Sequence, residues 1–276
     1  ITTRLVGSEM CIRDRGSYAY FTLSRRFNEQ SMPSVEIVDM KRELRRGNGS
    51  SISERLRSEI SENLERGEQS ILFLNRRGAN KLITCVDCGF TYSCPNCSVS
   101  LTYHSFSRRL MCHHCGYTQR LDEHCPECGG TLKYVGTGTQ KLEEELHELF
   151  PDTPVLRMDT DTVAPAGGHD VLLERFQTER IPIMVGTQMV TKGLNFENVT
   201  LVGVISADQS LYAGDYRATE RTFSLITQVV GRSGRFEKPG RAVIQTFTPE
   251  NETIRQAARQ DLSLIHISEP TRRVVI

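Results

Sequence analysis

Eight of the nine cysteines in this 276-residue chain form four Cys-x-x-Cys pairs between residues 85 and 128. They are Cys85/Cys88, Cys94/Cys97, Cys112/Cys115 and Cys125/Cys128. A two-residue gap lets both thiolates of a pair turn onto one metal ion, and two pairs complete a tetrahedral shell. Four pairs therefore predict two zinc ions, each bound by thiolates at about 2.3 Å. Gly89, Pro95, Asn96, Gly116, Pro126, Gly129 and Gly130 supply the tight turns that such loops need. Disulfides would require an oxidising compartment, and no apolar signal segment with a cleavage site is evident. A redox Cys-x-x-Cys usually occurs singly. Four thiolates do not by themselves exclude iron, but the spacing favours zinc. A catalytic zinc keeps one position open for water, and eight thiolates on two metals leave none, so the ions are expected to be structural. Spacing alone leaves open which pairs share an ion.

Composition sets outer limits. With 38% hydrophobic and 25% charged residues, the chain is expected to be soluble and to form one or two domains. No apolar run approaches the roughly 20 residues that span a bilayer, so no membrane partner is expected. A net charge of zero argues against a histone-like polyanion binder but leaves room for a local basic groove. Cysteine usage fits a reducing cytoplasm. The stretch from Leu101 to Leu110 mixes Tyr103, His104 and Phe106 with Arg108 and Arg109. That mixture suits nucleic-acid contact, and a folded loop with a solvated charged face accounts for it equally well.

Residues 1–16 and 262–276 show no pattern continuous with their neighbours. The strings SEMCIRDR and LSLIHISEPTRR resemble translated sequencing-adapter read-through, so both ends are set aside as non-native tails. Cys11, the ninth cysteine, falls in the first of them. The remainder is expected to be an internal piece of a longer protein.

Between the tails, strand and helix patterns alternate. Val35–Asp39, Ser70–Leu74, Val155–Met158, Ile181–Val185, Thr200–Ser206 and Ala242–Phe247 read as strands. Ser53–Arg66, Thr139–Phe150, Val171–Arg180 and Arg217–Val230 read as helices, with Leu56, Ile60 and Leu64 spaced by four in the first. This order predicts an α/β fold, a parallel sheet flanked by helices. The cysteine block, 84–131, interrupts it as an insertion between a first part, 17–83, and a second part, 132–261.

Ligands of open α/β sheets collect at the carboxyl ends of strands, and three strand-end segments here are rich in Gly, Thr, Gln and Arg. They are Asn75-Arg76-Arg77-Gly78, Gly186-Thr187-Gln188-Met189-Val190-Thr191-Lys192-Gly193 and Gln228-Val229-Val230-Gly231-Arg232-Ser233-Gly234-Arg235. The third closes a helix. Arg232 and Arg235 lie three residues apart, so on one face if helical, with small residues between them. Planar, permanently charged donors of this kind suit a charge developing on a transferred phosphoryl group. A polar helix end with two surface arginines is the plainer account of the same residues.

The third segment matches the Q-x-x-G-R-x-G-R box of superfamily-two helicases, and the second resembles their T-Q-x-x-x-K-G motif. Adding the zinc block directly after FLNRRG, with YFTLSRRF (20–27), VEIVDM (35–40), GTGTQKLEEEL (136–146) and DYRATERTF (215–223), the chain resembles the primosomal protein N′ family of replication-restart helicases. The resemblance spans about residues 17–261.

It implies a RecA-like second helicase lobe carrying a two-zinc ribbon, in a family that couples ATP hydrolysis to 3′-to-5′ unwinding at stalled or repaired forks. The implied partners are forked and single-stranded DNA, primosome proteins and single-strand-binding protein, in a bacterial cytoplasm at the nucleoid. Arg232 and Arg235 would contact phosphate, and Gln228 would sense nucleotide. Gly186, Thr187, Gln188, Lys192, Gly193 and Gly231 would line or link the nucleotide cleft. Asp208, Asp215 and Arg217 would form a polar network beside it, although helix capping also explains the aspartates. The outer pairs (Cys85, Cys88, Cys125, Cys128) would bind one ion and the inner pairs the other. No G-x-x-x-x-G-K-[ST] and no D-E-x-H box occurs in this sequence, so ATP and Mg²⁺ are expected only with a first lobe, and this chain alone is expected to be inactive. A zinc-ribbon binding module without motor activity is the alternative, and it would leave the arginine pair without a purpose.

Overall fold

The computed structural model describes residues 32–74, 82–96, 101–104, 107–112, 115–135, 138–163, 167–187, 196–211, 217–234 and 238–260. Of the residues singled out above, Asn75, Arg76, Arg77, Gly78, Cys97, Phe106, Gln188, Lys192, Gly193, Asp215 and Arg235 lie outside these, as do both end segments.

Apolar, β-branched runs build the main sheet from β1 (Ser34–Asp39), β2 (Gln69–Phe73), β8 (Val155–Met158), β9 (Ile183–Gly186), β10 (Val199–Val204) and β11 (Arg241–Thr246). All pairings are parallel, in the order β1-β11-β10-β2-β9-β8. A strand sends successive side chains to opposite faces, and the helices cover both. On one face Ile71, Phe73, Met184 and Val204 pack against Phe176 of α5 (His169–Thr178), Phe223 and Ile226 of α7 (Ala218–Val230) and Ile254 of α8 (Glu252–Arg259). On the other, Leu72, Leu74, Ile183 and Val185 meet Leu56 and Ile60 of α2 (Glu54–Glu65) and Leu142 and Leu146 of α3 (Thr139–Leu149). Ser53 caps α2, its side chain accepting from the Leu56 N–H at 3.2 Å.

The parallel sheet flanked by helices agrees with the sequence pattern. Edges move by a few residues: β9 begins at Ile183 because Pro182, just before it, has no N–H to give a ladder. The short helices α1 (Met40–Arg45), α4 (Thr160–Val163) and α6 (Asp208–Leu211) carry too few turns to show a period.

The cysteine region follows β2 and precedes α3. Its first strand, β3 (Leu82–Cys85), pairs antiparallel with its last, β7 (Leu132–Val135), with Leu82 opposite Val135 and Cys85 opposite Leu132. Between them β4 (Thr102–His104), β5 (Arg109–Met111) and β6 (Thr118–Arg120) form a second antiparallel sheet. Its core is small: Ile83, Tyr92, Cys94, Leu101, Leu110 and Cys112 form its buried cluster, and Cys85, Val86 and Cys125 are the other buried apolar or sulfur side chains among the described residues.

Candidate metal centre and motif edges

Three of the four cysteine pairs close the same knuckle. The first cysteine's carbonyl accepts from the glycine that follows the pair: Gly89 to Cys85 at 3.0 Å, Gly116 to Cys112 at 3.0 Å, Gly129 to Cys125 at 2.8 Å. The first cysteine's N–H returns to the next carbonyl, Phe90, Tyr117 or Gly130, at 2.8–2.9 Å. Each of these glycines has positive φ, between 70° and 81°, where a Cβ would be strained. The Cys-x-x-Cys-Gly repeat is thus a backbone requirement of the turn. The fourth pair, Cys94/Cys97, lacks that glycine, and Cys97 is outside the described residues.

The sulfurs gather in two separate groups. Cys85, Cys88, Cys125 and Cys128 form one, and Cys94, Cys112 and Cys115 the other, with all sulfurs of a group within 4.8 Å of one another. Facing sulfurs stand 3.6 Å apart for Cys85–Cys128 and Cys88–Cys125, and 3.5 Å for Cys94–Cys115. Thiolates at about 2.3 Å from a tetrahedral zinc are separated by about 3.8 Å, so the donor sets fit the ion. None of the seven described cysteines is in a disulfide. Among the described residues the two outer pairs thus group together, apart from Cys94, Cys112 and Cys115.

The sulfurs also perturb one another. Burial opposes ionisation of Cys85, but the backbone N–H groups of Cys88 and Asp87 prevail and bring its thiol down to about 7. Burial, reinforced by the thiols of Cys128, Cys125 and Cys85, pushes Cys88 up to about 12. A cluster in which one thiolate suppresses the next is stabilised by a divalent cation, whose two positive charges offset part of the repulsion among four thiolates.

The outer group is docked on the lobe. The Arg45 guanidinium of α1 donates to the Asp87 carbonyl, inside the first knuckle, at 2.8 Å. Lys41, also on α1, has its ammonium 3.4 Å from where a Gly89 Cβ would stand and 3.8 Å from Glu250. The Asp87 carboxylate accepts from the Thr131 N–H at 3.0 Å, tying the entry of the insertion to its exit. Sequence reasoning missed α1, whose only local signal is Asp39, an N-cap accepting from Lys41 N–H.

The helicase-like segments occupy opposite edges of the sheet, contrary to the expectation that all three lie at strand carboxyl ends. Gly186 is buried opposite Phe73, the last residue of β2, and its carbonyl accepts from Leu74 N–H. Thr187 follows at the same edge, its N–H 3.4 Å from the Met158 carbonyl. Gln228 is exposed on α7 and donates to Ser224 at 3.1 Å. Gly231 caps that helix, and Arg232, half-buried, continues its last turn by bonding Val229. The N–H of Gly234 then donates to the carbonyl of Val199, the first residue of β10. Because α7 runs back against the strands, its end lands at their amino-terminal edge. Val199 pairs with Gln69 and Gly186 with Phe73, so the two segments are separated by about 13 Å along β2.

The arginine-bearing turn is tightly held. Gly234 has φ +62°, and a Cβ on it would collide with the Gly240 backbone. A Cβ on Gly240 would stand 2.6 Å from Ser233 in return, so both positions require glycine. The adjoining Lys238 bonds Asn198 at 3.2 Å and pairs with Glu68 at 3.1 Å. Burial opposes ionisation of Glu68, but the Thr200 hydroxyl and Lys238 outweigh it and hold the carboxyl below its usual range.

Two aspartates at the carboxyl edge titrate in opposite senses. Asp208 is fully enclosed and accepts from Thr246 and Thr248 hydroxyls and the Phe247 N–H, at 2.7–2.9 Å. Burial nevertheless raises its pKa. Its role is to tie the end of β10 to the end of β11, which differs from a cleft-facing network. Asp159 caps α4, accepting from the Asp161 and Thr162 N–H groups at 3.0 Å, and it accepts from the Thr139 hydroxyl. Burial works against its charge, yet Thr139, Thr162 and Arg157 hold its pKa low. Arg217, at the N-cap of α7, makes no side-chain cap bond.

Comparison with known proteins agrees with both halves of this architecture. Residues 94–120 match the PriA DNA helicase Cys-rich region domain, and residues 127–237 the helicase conserved C-terminal domain. The chain is thus a helicase C-terminal lobe bearing a zinc-ribbon region. Replication restart protein PriA of Bacillus subtilis is 45% identical over 260 residues, 94% of this chain and 32% of the relative. The Synechocystis protein of the same name is 44% identical over 240 residues, 85% of this chain and 29% of the relative. That of Chlamydia pneumoniae is 40% identical over 262 residues, covering 94% and 35%. The chain belongs to the PriA family and spans about a third of the length of these relatives. Among the described residues no helix is long and apolar enough to cross a membrane.

Proposed function

We propose that this chain is the second motor lobe of an ATP-dependent 3′-to-5′ DNA helicase that restarts replication at stalled or repaired forks. The observation that carries this is the joint match of the cysteine region and the lobe, in one order, to the PriA family. Two structural zinc ions hold the ribbon, the outer on Cys85, Cys88, Cys125 and Cys128, the inner on Cys94, Cys97, Cys112 and Cys115. ATP and Mg²⁺ bind between this lobe and a first lobe that supplies the phosphate cradle and the metal-binding carboxylates.

Arg232 and Arg235 act on the phosphates, and the Gly234–Gly240 crossing supports that role by fixing the turn they flank. Gln228 and Gly231 stand at the same helix end. Gly186, Thr187, Gln188, Lys192 and Gly193 link the nucleotide cleft to the DNA strand. Forked and single-stranded DNA, primosome proteins and single-strand-binding protein are the partners, at the bacterial nucleoid.

The test is ATP turnover. This chain alone should stay at baseline with or without forked DNA. Joined to its first lobe it should show fork-stimulated hydrolysis, and Arg232→Ala should lower kcat by roughly a thousandfold while fork binding persists. Robust turnover by the chain alone, or an unaffected Arg232→Ala protein, overturns the assignment.

A further inference from the structure

Between the β3/β7 stem and the three-stranded sheet of the cysteine region lies a cleft of about 360 Å³. Ile83, Leu121 and Leu132 give it an apolar floor. Tyr103 and Arg108 line it from the β4–β5 hairpin, and Asp122 and Glu123 from the segment after β6. Its volume is at the lower end for small-ligand pockets, room for a single heterocycle and its sugar.

The chemistry of the lining selects among ligands. Asp122 is already engaged, accepting from the Tyr92 hydroxyl at 2.8 Å. Burial and that carboxylate together raise the phenol's pKa, so Tyr92 stays a neutral donor. Glu123 is exposed and remains to accept a hydrogen bond from a ligand. Arg108 is exposed as well, and its backbone holds φ +50°, a left-handed conformation unfavourable for any residue with a Cβ. The hairpin keeps that strain at a residue that lines the cleft. A purely anionic ligand would meet two carboxylates, and a basic peptide would meet Arg108. A flat ring with an amino group on its edge and a phosphate alongside satisfies all of them: the ring against Tyr103 and the apolar floor, the amino group on Glu123, the phosphate on Arg108.

We propose that this cleft captures one unpaired nucleobase bearing an exocyclic amino group from single-stranded DNA, stacking it on Tyr103. The proposal rests on the DNA-binding reading and adds to it a defined subsite with a base preference. Thymine, which has no exocyclic amine, is the disfavoured base.

The experiment uses the zinc-loaded chain and short oligothymidines carrying one central fluorescent aminopurine, titrated at fixed salt. Stacking in the cleft should quench the probe. Tyr103→Ala should weaken binding at least fivefold and abolish the quench, whereas Tyr103→Phe, which keeps the ring, should retain both. Glu123→Ala, which removes the acceptor, should erase the preference for oligocytidine over oligothymidine without lowering affinity for oligothymidine. Zinc content, measured in every variant, shows that the ribbon is folded. If Tyr103→Ala binds and quenches like the parent, the cleft proposal is overturned and the DNA reading stands. If a basic peptide displaces the quench while an oligonucleotide of unlabelled cytidine does not, a peptide site replaces it. If the parent chain binds no oligonucleotide, both the cleft and the DNA reading fail.

Discussion

The lobe and the cysteine region obey different rules of stability although they are one chain. In the lobe, every central strand is apolar on both faces and two layers of helices enclose it, so burial alone supports the fold. In the cysteine region nine hydrophobic side chains are buried among the described residues, four of them metal-binding candidates, and its strands are three or four residues long. That is too little apolar surface to offset the entropy of ordering so many loops. What the region has instead is donor geometry. The comparison teaches that composition alone says little about where a chain is robust. The same backbone can be held by area in one place and by coordination a few residues away.

Removing coordination should separate the two regions most sharply. Replacing Cys88 and Cys128 together by Ser should cost the region stability on the order of 10 kcal/mol. Hydrogen exchange at β3 and β7 should then rise to the unprotected rate and bound zinc should fall, with the thermal transition of the lobe nearly unmoved. Simultaneous loss of the lobe would break the comparison. The converse change is Phe223→Ala, at a side chain with no solvent exposure. Its expected cost is about 3–5 kcal/mol in the unfolding of the lobe, read by denaturant titration, with zinc content unchanged.

A smaller effect sharpens the electrostatic side. Asp159 has a folded-state pKa below its unfolded value, so its contribution is present above the unfolded pKa and lost as pH falls through the folded one. Asp159→Asn should therefore destabilise the lobe by about 1 kcal/mol near neutral pH. The difference from the parent should begin to shrink near pH 4 and be lost only as pH falls through the lower folded-state pKa, and a constant difference down to about pH 2 would contradict the assignment. Arg45→Ala should do least, well under about 1 kcal/mol, because its bond to Asp87 is solvent-exposed. Its signature is positional: exchange of the Asp87 and Cys88 amides should increase while the lobe and the metal content stay put.

Much of this was visible in the residues, for reasons that differ by region. Periodicity located α2 and α3, since Leu56 and Ile60, or Leu142 and Leu146, recur on one face, and the continuous apolar run of β2 announced a strand buried on both sides. Cysteine spacing indicated metal knuckles because the turn is local: three of the four need only their own pair and the following glycine. Strand order was not legible, because β2 takes its neighbours β9 and β10 from more than a hundred residues downstream. The position of Arg232 was misjudged for a related reason. A helix returning along the sheet carries its final residues to the far edge, and only the Gly234–Val199 bond reveals it. The cleft containing Tyr103 and Arg108 is assembled from four separate segments, so no single stretch of sequence encodes it.

The antiparallel stem has a consequence for how such proteins vary. Because Leu82 faces Val135, the chain departs and returns at adjacent points, and everything between them is a detour. Excising that detour and rejoining the stem with a tight turn would leave every crossover of the six-stranded sheet in place. The ribbon is in this sense an exchangeable part: one lineage can enlarge it, another can discard it, and the lobe need not await metal to find its own topology.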